Sequence, residues 1–203
     1  RQVPTTFRGL RKTSSAGSLG VADRSVHKDA KITDQLQEFL LNDAEYVKGV
    51  VPGEVIAAEK FYRGFDGGFS AISQNLDVRR KTLTDSILLE YFIDENAESD
   101  PLQFAVVRAE AGAGKSVFLR RLAWEATHDY DCLCLYMREG GQFDFSAIRE
   151  LSELCEERVF LFVEDAALVA RDIEEFLRSV SAADLRVTVV AAARTNEWNA
   201  VAD

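Results

Sequence analysis

The sequence predicts an α/β fold: a parallel sheet with helices on both faces, preceded by a short helical lead-in. Three observations carry this. Beyond Pro101, the apolar runs Phe104–Arg108, Cys132–Met137, Val159–Val163 and Val187–Ala192 lack the alternation of a half-exposed strand. Helical periods separate them, with Ile148, Leu151 and Leu154 on one and Ile173, Phe176, Leu177 and Val180 on another. The first run passes through a glycine turn straight into a helix from Ser116. Strands without alternation, spaced by helices, belong to a parallel sheet covered on both sides.

Composition sets the outer limits. A chain of 203 residues with 47% hydrophobic and 29% charged residues buries a sizeable core, which excludes a wholly disordered protein and a disulfide-stapled miniprotein. No apolar stretch approaches the roughly 20 residues that cross a bilayer, and the N-terminus lacks a signal-peptide h-region. Arg1 at the start, in place of Met, predicts a piece of a longer protein. Residues 1–31 hold seven Lys/Arg against two Asp, a net +5, so the rest carries −15 of the total −10. An acidic body argues against broad nucleic-acid or anionic-membrane binding. The basic leader is a solvated linker in the simpler view. Cys132, Cys134 and Cys155 are an odd number, and only His27 and His128 accompany them. Small buried hydrophobes in a reducing cytoplasm fit that set; a zinc site does not.

The elements follow in order. Residues 1–30 have Ser, Thr and Gly clusters without an apolar period and predict a linker. Thr33 or Asp34 caps a short amphipathic helix whose apolar positions are Ile32, Leu36, Phe39 and Leu40. Val50-Val51-Pro52-Gly53 ends it. The stretch Phe61 to Phe69 is rich in aromatics and glycine, an ordered loop with Phe61, Tyr62, Phe65 and Phe69 packed on the core. A second helix starts at Thr82, with Asp85 completing a capping box and Leu83, Ile87, Leu88, Tyr91 and Phe92 on one side. The helix from Ser116 carries a polar stripe at Arg121, Glu125 and His128.

The segment Ala109-Glu110-Ala111-Gly112-Ala113-Gly114-Lys115-Ser116 departs from the phosphate-loop pattern G-x-x-x-x-G-K-[ST] only at Ala109. Its composition has a chemical reason. Backbone N–H groups converge on phosphate oxygens, and glycines permit the left-handed turns this needs. The next helix aims its N-terminus at the anion. Ala111, Gly112, Ala113, Gly114, Lys115, Ser116 and Val117 are the nucleotide-binding candidates, with Lys115 on the β- and γ-phosphates and the Ser116 hydroxyl on Mg²⁺. ATP and Mg²⁺ are the expected ligands. The chain then divides into a basic linker (1–31), a helical lead-in (32–100) and a P-loop NTPase core (101–203).

Two further strand tips complete the candidate site. Val159–Val163 runs into Glu164-Asp165, 49 positions after Lys115. Glu164, at the strand tip, is assigned to the Mg²⁺ shell, and Asp165 to orienting or deprotonating water. The extra methylene of glutamate leaves the reverse assignment open. The following strand ends in Arg194, a γ-phosphate sensor in the functional reading and a solvated surface residue in the plain one. For Glu164 and Arg194 to reach one phosphate from neighbouring tips, the strand at Val187–Ala192 must lie between Phe104–Arg108 and Val159–Val163.

Together the phosphate loop, the acidic strand and the strand ending in Arg194 resemble the NTPase core of STAND ATPases, signal-transduction ATPases with numerous domains. Phe61-Tyr62-Arg63-Gly64 and Asn75-Leu76-Asp77-Val78-Arg79-Arg80 are similar to the lead-in of bacterial STAND proteins of antiviral defence, several of which carry a sirtuin-like effector. The resemblance covers roughly 32–203. It implies an ATP-driven regulatory switch that forms a homo-oligomer on activation and turns on a fused effector, with sensor domains further along. It also implies that Arg63 lies near the adenine; the alternative is that Arg63-Gly64 only shapes the aromatic loop. Departures are Ala109, the order Glu-Asp in the acidic pair, and a chain that stops soon after Arg194. Two other readings stand beside this one: a DNA-handling AAA+-like ATPase, and a nucleotide-binding scaffold without turnover.

Overall fold

Strands that are apolar at every position need cover on both faces, and the chain supplies it. The structure is a computed structural model, which describes residues 6–7, 30–50, 53, 55–88, 90–91 and 100–201. Four parallel strands form the body of the sheet: β4 (Leu102–Ala109), β5 (Leu133–Met137), β6 (Val159–Val163) and β7 (Val187–Arg194). Their order is β5-β6-β7-β4, so β7 lies between β6 and β4, the insertion expected from the sequence. Two short segments, β1 (Thr6–Phe7) and β2 (Ala30–Lys31), pair antiparallel in a sheet of their own.

Side-chain parity divides the core. Leu133, Leu135, Val159, Leu161, Val187 and Val189 face one way, toward helices α1 (Asp34–Asn42), α6 (Phe145–Cys155) and α7 (Ala170–Ala182). Cys132, Cys134, Tyr136, Phe160, Phe162 and Val190 face the other way, toward α5 (Lys115–His128), where Leu119, Leu122, Ala123 and Ala126 are fully buried. The cysteines two apart thus share one face, and all three are buried and outside any disulfide. Among the described residues no helix is long and apolar enough to cross a membrane.

The lead-in departs from the expected pattern in three ways. First, the sheet is mixed: β3 (Ala44–Tyr46) pairs antiparallel with β5 and covers that edge. Three residues are too few to show a period, and the pairing alone defines this strand. α1, capped by the Thr33 hydroxyl at the Leu36 N–H, delivers the chain to it. Second, α4 spans Lys81–Leu88, so Thr82 lies inside the helix and is not its cap. Thr84 and Leu88 are its buried residues and Leu83 is exposed; Phe92 lies outside the described residues. Third, of the four aromatics near Gly64, only Phe69 is buried, at the start of α3 (Gly68–Ser73), whereas Tyr62 and Phe65 are exposed. Tyr62, at the end of α2 (Ala58–Tyr62), instead donates its hydroxyl to the Leu76 carbonyl at 2.8 Å.

Of the polar stripe of α5, Arg121 is turned inward against this lead-in, whereas Glu125 is half-buried and His128 exposed. Arg121 is 3% exposed and forms a bidentate ion pair with Asp77, its Nε donating at 2.9 Å. Its Nη2 also donates to the Ile72 carbonyl at 2.8 Å. A buried guanidinium is tolerated only with such full pairing. One side chain therefore fastens the loop after α3 to the helix that follows the phosphate loop.

Candidate nucleotide site

The loop takes the shape its composition prescribes. Gly112 and Gly114 have φ of 74° and 79°, the left-handed conformation that glycine adopts without steric cost. Ala113 N–H donates to the Glu110 carbonyl at 3.3 Å, closing the turn. Ala109, the departure from the pattern, is the last residue of β4 and pairs in parallel register with Arg194. It keeps strand geometry, so this position does not call for glycine. α5 begins with Gly114 as N-cap and no side chain caps it, leaving backbone N–H groups for an anion at the end of a 14-residue helix. Lys115 Nζ donates to the Glu110 carbonyl at 3.0 Å, folded across the loop it would serve.

The structure brings Arg194 to the base of the loop, opposite Ala109, with its guanidinium 2.9 Å from Glu197. Asp165 is exposed at the end of β6 and left-handed, with φ of 46°. Glu164 continues the parity of Phe160 and Phe162, so it faces α5. There its Oε1 accepts from the Tyr136 hydroxyl at 2.5 Å and pairs with Arg120 Nη2 at 2.9 Å. Asp66 holds the other arm of Arg120 at 2.7 Å. Burial first, and then the neighbouring Glu164 carboxylate, keep the Tyr136 hydroxyl protonated well above its usual range, so it donates. These residues also line a cavity of about 1070 Å³ that opens between the tips of β5 and β6 and the residues around Gly67. None of residues 109–117 lines it.

Arg63 points elsewhere. Its side chain is 77% exposed and pairs with Glu59 at 2.5 Å, one helical turn back. The lead-in arginine that touches the loop is Arg80, whose Nη2 donates to the Ala113 carbonyl at 2.5 Å. Sequence reasoning passed over it, and also over Arg120 and Tyr136. The one available signal was the double arginine Arg79-Arg80 ahead of a helix, which does not say which side chain turns forward.

The residues present suit a magnesium nucleotide. Among the described residues no group of three or more His, Cys, Asp or Glu is placed to hold a metal. Mg²⁺ needs less than that, since one or two carboxylates with phosphate oxygens and waters suffice. Ser116 and the strand-tip carboxylates Glu164 and Asp165 are residue types that can enter such a set.

The profile of a family described as Novel STAND NTPase 5 matches residues 59–203. No curated protein matches the sequence. Among solved structures, one on katanin self-assembly aligns at 13% identity and a TM-score of 0.41, covering 82% of this chain and 54% of that one. PCH-2 of C. elegans aligns at 14% identity and 0.40, covering 62% and 41%. Trip13 of Rhizobiales aligns at 15% identity and 0.31, covering 71% and 60%. The chain spans about half the length of the first of these. It is a nucleotide-binding NTPase domain, and it belongs to the Novel STAND NTPase 5 family.

Proposed function

We propose that the domain binds ATP with Mg²⁺ at residues 111–117 and works as the regulatory switch of a cytoplasmic multidomain STAND-type protein. In this reading nucleotide binding and homo-oligomerisation activate a fused effector, in the manner of the antiviral-defence proteins that the lead-in resembles. The observation that carries it is the pair of left-handed glycines at an uncapped α5 N-terminus. Lys115 would leave the Glu110 carbonyl for the phosphates, and Ser116 and Glu164 would hold Mg²⁺. The metal supplies charge neutralisation on the phosphates. Asp165 would orient or deprotonate the attacking water, and Arg194 would sense the γ-phosphate from beside Ala109. Arg63 would contribute at the adenine only on leaving Glu59.

Lys115→Ala tests the site. Losing a charge-assisted contact to phosphate costs about 1.5–3 kcal/mol, roughly ten- to a hundredfold or more in affinity. Calorimetry with MgATP should show that loss, and unchanged affinity would mean the loop does not hold phosphate.

A second reading, a nucleotide-binding scaffold without turnover, is favoured by the engagement of Glu164 with Arg120 and Tyr136. A carboxylate so held does not serve a metal until it is released. Single-turnover measurements on Tyr136→Phe distinguish the two: faster hydrolysis than in the unaltered chain supports a latched switch, and none in either protein supports the scaffold.

A further inference from the structure

We propose that Arg80 is a phosphate ligand of the bound nucleotide, delivered to the loop by the lead-in. This rests on residues 109–116 being a nucleoside triphosphate site. Arg80 stands immediately before α4, and its Nη2 donates to the Ala113 carbonyl at 2.5 Å. The same nitrogen is 3.6 Å from where a Cβ on Gly114 would stand. The guanidinium therefore lies against the two residues that precede Lys115, at the end of α5 where N–H groups are uncapped.

Its neighbours in charge are already engaged. Arg63 pairs with Glu59, Arg194 with Glu197, Arg120 with Asp66 and Glu164, and Arg121 with Asp77. Arg79 turns back to the Asn75 side-chain oxygen at 2.5 Å. Arg80 differs from Arg63, Arg194, Arg120 and Arg121, and unlike Arg79 it reaches the loop. Among the described residues its partner is a neutral main-chain carbonyl, and no carboxylate neutralises it. A guanidinium has five N–H donors in a planar fork suited to phosphate. One bond to Ala113 leaves donors to spare, and the exposed side chain moves at little cost.

The anchor that aims it is buried. Asp77, three residues earlier, is locked to Arg121 on α5. The backbone leading to Arg80 is thus fixed to the same helix that receives the phosphates, while the guanidinium remains free to exchange a carbonyl for an anion. Such an exchange makes the lead-in part of the nucleotide site and ties its position to whether phosphate is present.

The test is calorimetry of the full chain with MgATP and MgADP, using Arg80→Ala, Arg80→Lys and Arg80→Gln beside Lys115→Ala. Arg80→Ala should weaken both nucleotides about ten- to a hundredfold. Its melting temperature without nucleotide should match that of the unaltered chain. Lysine and glutamine both retain a donor for the Ala113 carbonyl, but only lysine retains the charge. Recovery of affinity with lysine and not with glutamine supports the ligand role, and it does so even if the alanine variant is too unstable to measure. Full recovery with glutamine, or no loss in any Arg80 variant while Lys115→Ala loses binding, overturns it and leaves the loop intact as a site. Unchanged binding in Lys115→Ala overturns the site itself.

Discussion

At the scale of single residues, the acidic pair at the end of β6 is where chemistry and geometry separate. Glu164 is half enclosed by Arg120 and Tyr136, whereas Asp165 is exposed and left-handed. Asparagine tolerates that conformation at least as well as aspartate, so Asp165→Asn changes charge without straining the backbone. Glu164→Gln should weaken Mg²⁺-dependent nucleotide binding as well as turnover, and Asp165→Asn should spare binding and trap ATP. Affinities with and without Mg²⁺ for both variants check this; loss of Mg²⁺-dependent affinity in Asp165→Asn reverses the assignment. The loop and both strand tips were legible because their chemistry is local: a glycine turn ending in Lys-Ser, and carboxylates closing an apolar run. Arg120 and Tyr136 were not. Nothing in a helical arginine or a strand tyrosine announces that parity will aim both at Glu164.

Among elements, the buried contact between α5 and the loop after α3 decides how the lead-in sits. Removing one partner of a buried, fully paired ion pair typically costs about 3–5 kcal/mol, because the other charge is left without compensation. Arg121→Ala and Asp77→Ala should each cost that much in urea unfolding. Arg121→Met combined with Asp77→Leu should recover much of it, since an apolar pair strands no charge. A cost near zero for the single variants would show that the lead-in does not depend on this contact. β5, β6 and β7 could be read from sequence because burial on both faces keeps them almost wholly apolar, and the part-buried β4 from its apolar run into the glycine turn. β3 and the Arg121–Asp77 pair could not, for reasons of range. β3 exists only through its ladder with β5, and the ion pair joins residues 44 apart. The polar stripe on α5 was visible, but the burial of Arg121 within it was set by an acid in a distant loop.

For the molecule as a whole, groups kept protonated by burial govern behaviour in alkali. Burial, with Glu157 as a smaller cause, pushes the Cys155 thiol up to about 11 from a usual value of 9.0. Burial likewise raises Tyr46, Cys134 and Tyr136. In the unfolded chain these groups release protons at lower pH than in the folded one. Stability from Cys155 is therefore complete below about pH 9 and is lost as pH rises through about 11. The melting temperature should fall steadily over that window. A flat profile between pH 9 and 11 would show that the core does not hold the thiol in this way.

The two margins of the main sheet are unequal. β3 closes the β5 side, whereas among the described residues β4 has β7 on one flank and no strand on the other. A sheet edge is a template for any extended polypeptide, including an identical molecule. Phe104, 37% exposed on this strand, adds an apolar contact to the polar one. Colloidal behaviour follows from that asymmetry. Self-association of the isolated domain should begin at β4, and salt should promote it by screening the acidic body that otherwise keeps molecules apart.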